Sequence, residues 1–197
     1  MSIAEQIARA KTDYDEVYAA GEKTEYDKFW DNFQENGNRV QYPYSFYYPF
    51  WNDKNYNPKY PIVIDASGNT QSTFSYSEIT DTKVDITIKS QVQQTFYRCY
   101  ELVTIKKLIV TETATFTNAF RDCSALENLT VEGTIAADPN LSYSPKLTHD
   151  SLMSVINALK DYSESGTTYT LTIGNTNLEK LTDIEIDIAY QKGWDIV

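Results

Sequence analysis

The chain has 197 residues, 41% hydrophobic and 14% aromatic, which excludes a disordered or collagen-like polymer and provides the apolar mass for a buried core. Its 28 acidic residues outnumber 17 basic ones for a formal charge of −11, so nucleic acid is not an expected partner, because phosphate binding relies on clustered Lys and Arg. No stretch approaches the ~20 apolar residues of a membrane helix, and Met1–Arg9 carries no apolar signal region, so membrane insertion and signal-directed export are not expected.

Residues 1–40 read as an N-terminal helical segment. Ile3, Ile7, Ala10, Tyr14 and Val17 follow the alternating spacings of a coiled-coil seam until Gly21 and Thr24 interrupt it. A second amphipathic face follows in Tyr26, Phe29, Trp30 and Phe33, and Asn36-Gly37 supplies a helix stop. The seam serves one of two ends: folding back as a cap over the core, or self-association of identical chains. Residues 41–61 form an aromatic stretch in which Pro43, Pro49 and Pro58 exclude a regular helix. Its rings either plug the end of the core or stand exposed to stack on a glycan or a protein, with Tyr44, Tyr47, Tyr48 and Trp51 as ligand-binding candidates.

From residue 62 to 197 the pattern is that of a repeat. Pro61–Asp65 is the first strand; Phe74, Ser77 and Ile79 form a degenerate unit; Val84–Ile88 alternates as a half-buried strand. Phe96, Cys99, Leu102 and Ile105 recur as Phe120, Cys123, Leu126 and Leu129, each displaced by 24 residues. A unit of that length cannot bury its apolar side alone, which predicts stacking and a short parallel strand per unit, at Leu108–Val110 and Leu129–Val131. Cys99 and Cys123 occupy one repeat position in adjacent units, where stacking at about 4.8 Å holds their Cβ atoms too far apart for a disulfide, so free buried thiols are expected.

The tail predicts a strand at Leu141–Tyr143, a helix N-capped by Thr148 with Leu147 and Leu152 as a staple, and a strand at Tyr169–Ile173. A last helix opens on the capping box Thr182–Glu185 and stops at Gly193 before Trp194–Val197. Trp194 and that helix are expected to close the far end of the core. The fold class expected is therefore α/β: a right-handed leucine-rich-repeat-like solenoid with a short parallel sheet, helical longer repeats at the C-terminus and the N-terminal helical segment.

The two Phe-x-x-Cys-x-x-Leu units, in particular Asn118-Ala119-Phe120-Arg121-Asp122-Cys123-Ser124-Ala125-Leu126, resemble the BspA-type leucine-rich repeat over about residues 94–133. The layout of Tyr-rich helix, aromatic stretch and tail is similar to short proteins encoded by phages and prophages of gut bacteria. The first resemblance implies a non-enzymatic surface adhesin; the second implies a virion tail or fibre component. The missing export signal favours the phage reading, with a virion localisation, other virion proteins or a host surface protein or glycan as partners, and homo-oligomerisation through the N-terminal helix. A bacterial cell-surface adhesin is the alternative.

The chemistry offers little to set against this. His149, the one histidine, lacks neighbouring ligands at metal spacing and reads as a surface residue. No phosphate loop, nucleophile elbow, zinc-protease motif or calcium loop occurs, so no cofactor, metal or catalytic residue is expected. A glycosidase needs two suitably spaced carboxylates, which keeps a carbohydrate-active enzyme as the least favoured reading. Asp183, Glu185 and Asp187 read as a solvated helix face that complements the dipole.

Overall fold

The computed structural model describes the backbone of residues 39–40 and 62–64, and residues 74–89 and 94–197 in full. The seam residues Ile3, Ile7, Ala10, Tyr14 and Val17, and the aromatic candidates Tyr44, Tyr47, Tyr48 and Trp51, lie outside the described residues.

Five parallel strands lie side by side in chain order: β1 (Arg39–Val40), β2 (Ile62–Ile64), β3 (Asp85–Ile88), β4 (Thr104–Val110) and β5 (Asn128–Gly133). In β3, β4 and β5 the inward residues are the alternate apolar ones. Ile86 and Ile88, then Ile105, Leu108 and Val110, then Leu129 and Val131 are buried, while Asp85, Lys106 and Glu132 face out. A bulge between Ile105 and Leu108 slips the register by one residue and turns Lys106 and Lys107 outward together, so both reach Asp85 at 3.9 Å and Lys107 also reaches Glu132 at 2.9 Å.

Opposite the strands, the Phe-Cys turns pack in layers. Phe74, Phe96 and Phe120 stack ring on ring, with centroids 5.3 and 5.8 Å apart. A second ladder of backbone bonds joins these turns: the amides of Phe74 and Tyr76 donate to the carbonyls of Thr95 and Tyr97, and those of Gln94, Phe96 and Arg98 to Thr117, Ala119 and Arg121. The cysteines belong to this ladder. The Cys99 thiol donates to the Phe74 carbonyl at 2.8 Å and the Cys123 thiol to the Phe96 carbonyl at 3.0 Å.

The tail contains α1 (His149–Ala158), β6 (Tyr169–Leu171), α2 (Asn175–Leu178), α3 (Asp183–Gln191) and β7 (Trp194–Ile196). Thr148 caps α1 and a full Thr182–Glu185 capping box opens α3, as the spacings predict. Trp194 is fully buried, its indole N–H donating to the Lys160 carbonyl at 2.8 Å, beside the stacked rings of Tyr162 and Tyr169.

Here the expected fold is corrected. A leucine-rich solenoid does not run from residue 62 to 197. The strands divide into a small parallel sheet and a separate two-stranded sheet of β6 and β7, with few helices. Beyond β5, residues that a continuous sheet would pair along strands meet only in isolated bridges, Ile135 with Leu159 and Asn140 with Thr172. The physical reason is that α1 occupies the edge where a further strand would lie. The Ser151 hydroxyl accepts from the Leu129 amide at 2.9 Å and donates to the Glu127 carbonyl at 2.9 Å; the Ser154 hydroxyl accepts from the Val131 amide at 2.8 Å. With its edge groups satisfied by serines, β5 has no need of another strand.

The strand expected at Leu141–Tyr143 is also absent. Leu141, Ser144 and Leu147 instead form a turn with the hydrogen-bond pattern of Phe120, Cys123 and Leu126: the Ser144 amide donates to Leu141, and the Leu147 amide to Ser144. Both sets of residues are buried, so Leu stands in for Phe and Ser for Cys.

Candidate tyrosine–arginine docking edge

The layered turns impose one backbone constraint at each level. Two residues after each Phe, at Tyr76, Arg98 and Asp122, φ is 56°, 59° and 63°. This left-handed region suits Gly or Asn and disfavours bulky side chains. Because these residues stack in adjacent layers, their side chains meet on the outer edge of the turns. The Arg98 guanidinium lies over the rings of Tyr76 and Tyr97, at 5.3 and 5.0 Å from their centroids, and donates to the Tyr76 hydroxyl at 2.9 Å and to Asp122 at 3.4 Å. Tyr76 and Tyr97 meet edge to face at 5.6 Å. One residue along, Arg121 lies over the ring of Tyr143 at 5.6 Å. Tyr100 and Tyr143 are exposed, at 51% and 43% of their surfaces.

This edge combines flat amphipathic rings with oriented cationic donors, a mixture that favours docking. None of its members was singled out among the sequence candidates. The signal was available in the columns one and two residues after each Phe, which hold Tyr97 and Arg121, then Tyr76, Arg98 and Asp122; their identities change from layer to layer, so no motif displays them.

The other sequence candidates fall elsewhere. Cys99 and Cys123 are buried free thiols; burial raises Cys99 well above its ordinary range and pushes Cys123 up to about 12, so neither is a ready nucleophile. His149 is exposed at the start of α1, and its Nε2 contacts Glu185 of α3 at 2.8 Å while Nδ1 faces Asp150 at 3.5 Å. Hydrogen bonding to Glu185 raises His149, and Glu185 is lowered first by the backbone amide and hydroxyl of Thr182 and then by His149. Glu185 therefore complements the N-terminus of α3 as expected, but it is half-buried and also bridges to α1, while Asp183 and Asp187 are exposed. Among the described residues, no three His, Cys, Asp or Glu side chains gather to hold a metal, and no helix is long and apolar enough to cross a membrane.

No family model matches this chain, and no match was found among the curated proteins or the solved structures.

Proposed function

We propose that the chain is a non-enzymatic recognition or structural protein, a tail or fibre component of a phage or prophage particle, that contacts a host surface protein or glycan, or a neighbouring virion protein, through its tyrosine–arginine edge. The observation that carries the docking role is the Tyr76–Arg98–Asp122 network with Tyr97, Tyr100, Arg121 and Tyr143 around it. It presents aromatic and guanidinium groups on a backbone fixed by interlayer hydrogen bonds, so little conformational entropy is lost when a partner binds. The phage setting comes from the resemblance of the whole layout to phage- and prophage-encoded proteins, and the N-terminal seam serves assembly of identical chains in this reading.

Two experiments test it. Labelled full-length protein should bind host cells, and the Tyr100→Ala/Tyr143→Ala double variant should bind several-fold less while keeping its thermal midpoint; equal binding removes the edge from the account. Mass spectrometry of purified particles should contain peptides of this chain. The BspA-like motif at Ala119–Leu126 supports a second reading, a bacterial surface adhesin, in which the protein would be found on the cell envelope and not in particles.

A further inference from the structure

The two arginines of the docking edge differ in what they already hold. Arg98 is committed to two rings, the Tyr76 hydroxyl and Asp122. Arg121 lies on an exposed position over Tyr143, and among the described residues no carboxylate comes within ion-pair distance of it. Its sequence neighbour, Asp122, is the acid that Arg98 takes. An oriented guanidinium with open donors matches a carboxylate in fork geometry.

Two further observations give that vacancy a context. Tyr76 and Arg98 hold left-handed backbone positions that Asn or Gly would occupy with less strain, so the side chains stand there against local backbone preference. The rings of Tyr76 and Tyr97, and that of Tyr143, each have a guanidinium over one face, which takes from each a face on which a sugar could stack. Tyr and Arg are among the residues enriched at protein–protein hot spots. The chain's charge of −11 opposes an acidic partner only at long range, and physiological salt screens charges beyond about 8 Å.

Resting on the docking role assigned to this edge, we propose that its partner is a protein segment carrying an Asp or Glu beside an apolar residue, with Arg121 taking the carboxylate and Tyr100 and Tyr143 the apolar neighbour. A random peptide display library selected on the full-length protein tests it, with the affinities of enriched peptides measured by calorimetry. Enriched peptides should carry Asp or Glu next to an apolar residue. Arg121→Gln should weaken them about tenfold, the order of one charge-assisted pair, and replacing the peptide's Glu by Gln should do the same without adding to it. Arg121→Lys, which keeps charge but loses the fork, should fall between, and stands in should the Gln variant fail to fold. Peptides that bind Arg121→Gln as tightly as wild type but lose affinity in Tyr100→Ala/Tyr143→Ala would overturn the carboxylate proposal and leave the docking role intact. Peptides indifferent to every edge variant would overturn both. Binding of oligouronates in place of peptides would overturn the protein partner.

Discussion

The layered block, residues 74–133, and the tail, residues 134–197, satisfy their backbones in different ways. In the block, backbone amides and carbonyls of adjacent layers bond to one another, along the strands and again along the turns. In the tail, backbone bonds between segments continue, and side chains take a larger share of that work. Ser151 and Ser154 close the β5 edge; buried Asn177 donates to the carbonyls of Ser144 and Ile173; Lys180 donates to those of Pro145 and Leu147; Lys192 donates to Ile156 and Asn157 at the end of α1. A ladder of backbone bonds is indifferent to side-chain identity, so the block's outer residues are free to vary and to carry recognition. A side-chain cap ties identity to structure, which leaves the tail less freedom.

The largest break of this contrast comes from the phenyl stack. Phe96 is fully buried between Phe74 and Phe120, so Phe96→Ala should cost about 3–5 kcal/mol by cavity formation. Chemical denaturation would measure it; a loss below ~1 kcal/mol would mean that the layers do not share a core. Gly133→Ala comes next. Gly133 holds φ +90°, and an added Cβ would lie 2.0 Å from the Val110 carbonyl oxygen, a backbone atom that cannot yield cheaply. That variant should lose more stability than Gly166→Ala, which shares a positive φ of +69° but meets nothing within 4 Å.

Smaller effects sharpen the tail side of the comparison. Ser151→Ala strips the Leu129 amide of its partner while the Glu127 carbonyl keeps the Thr148 amide, and Asn177→Ala strips the Ile173 carbonyl while that of Ser144 keeps the Leu147 amide, each at about 1–3 kcal/mol for the one buried group left unsatisfied. Substituting the exposed Tyr100 by Ala should leave stability within about 0.5 kcal/mol.

The smallest effect is electrostatic. His149 is raised in the fold, so its contribution is fully present below its ordinary value of 6.5 and is lost as pH rises through the raised folded value. Glu185 is lowered, so its contribution is present above its ordinary value of 4.5 and is lost as pH falls through the lowered folded value. The pair therefore supports the fold best at mildly acid pH, between those two ranges. Thermal midpoints across pH, compared with those of His149→Gln, would show it as a slight extra fall toward alkaline pH in the wild type; parallel profiles would refute the linkage.

How much of this was legible in the sequence follows the same division. Phe96 and Phe120, with their Cys and Leu partners, repeat at fixed spacing, and the caps at Thr148 and Thr182 are local, so both could be read directly. The end of the sheet could not, because Ser151 and Ser154 on a helix look like ordinary surface positions until β5 is placed beside them. The turn at Leu141, Ser144 and Leu147 escaped because Leu for Phe and Ser for Cys keep the volume and polarity pattern but hide the motif. The bridge from Glu185 to α1 is hidden because its partner, His149, lies 36 residues away. The tyrosine–arginine edge was hidden for a different reason: it is formed across layers, around three residues, Tyr76, Arg98 and Asp122, that share a left-handed backbone and no side-chain type.

Native-state hydrogen exchange of Ser151→Ala/Ser154→Ala probes the division between block and tail most directly. The Leu129 and Val131 amides, which donate to those hydroxyls, should lose protection by tenfold or more, of the order expected for one lost hydrogen bond, while Tyr76, Phe96 and Arg98, held by the turn ladder, keep theirs. Uniform acceleration of all five amides, or none at Leu129 and Val131, would contradict it.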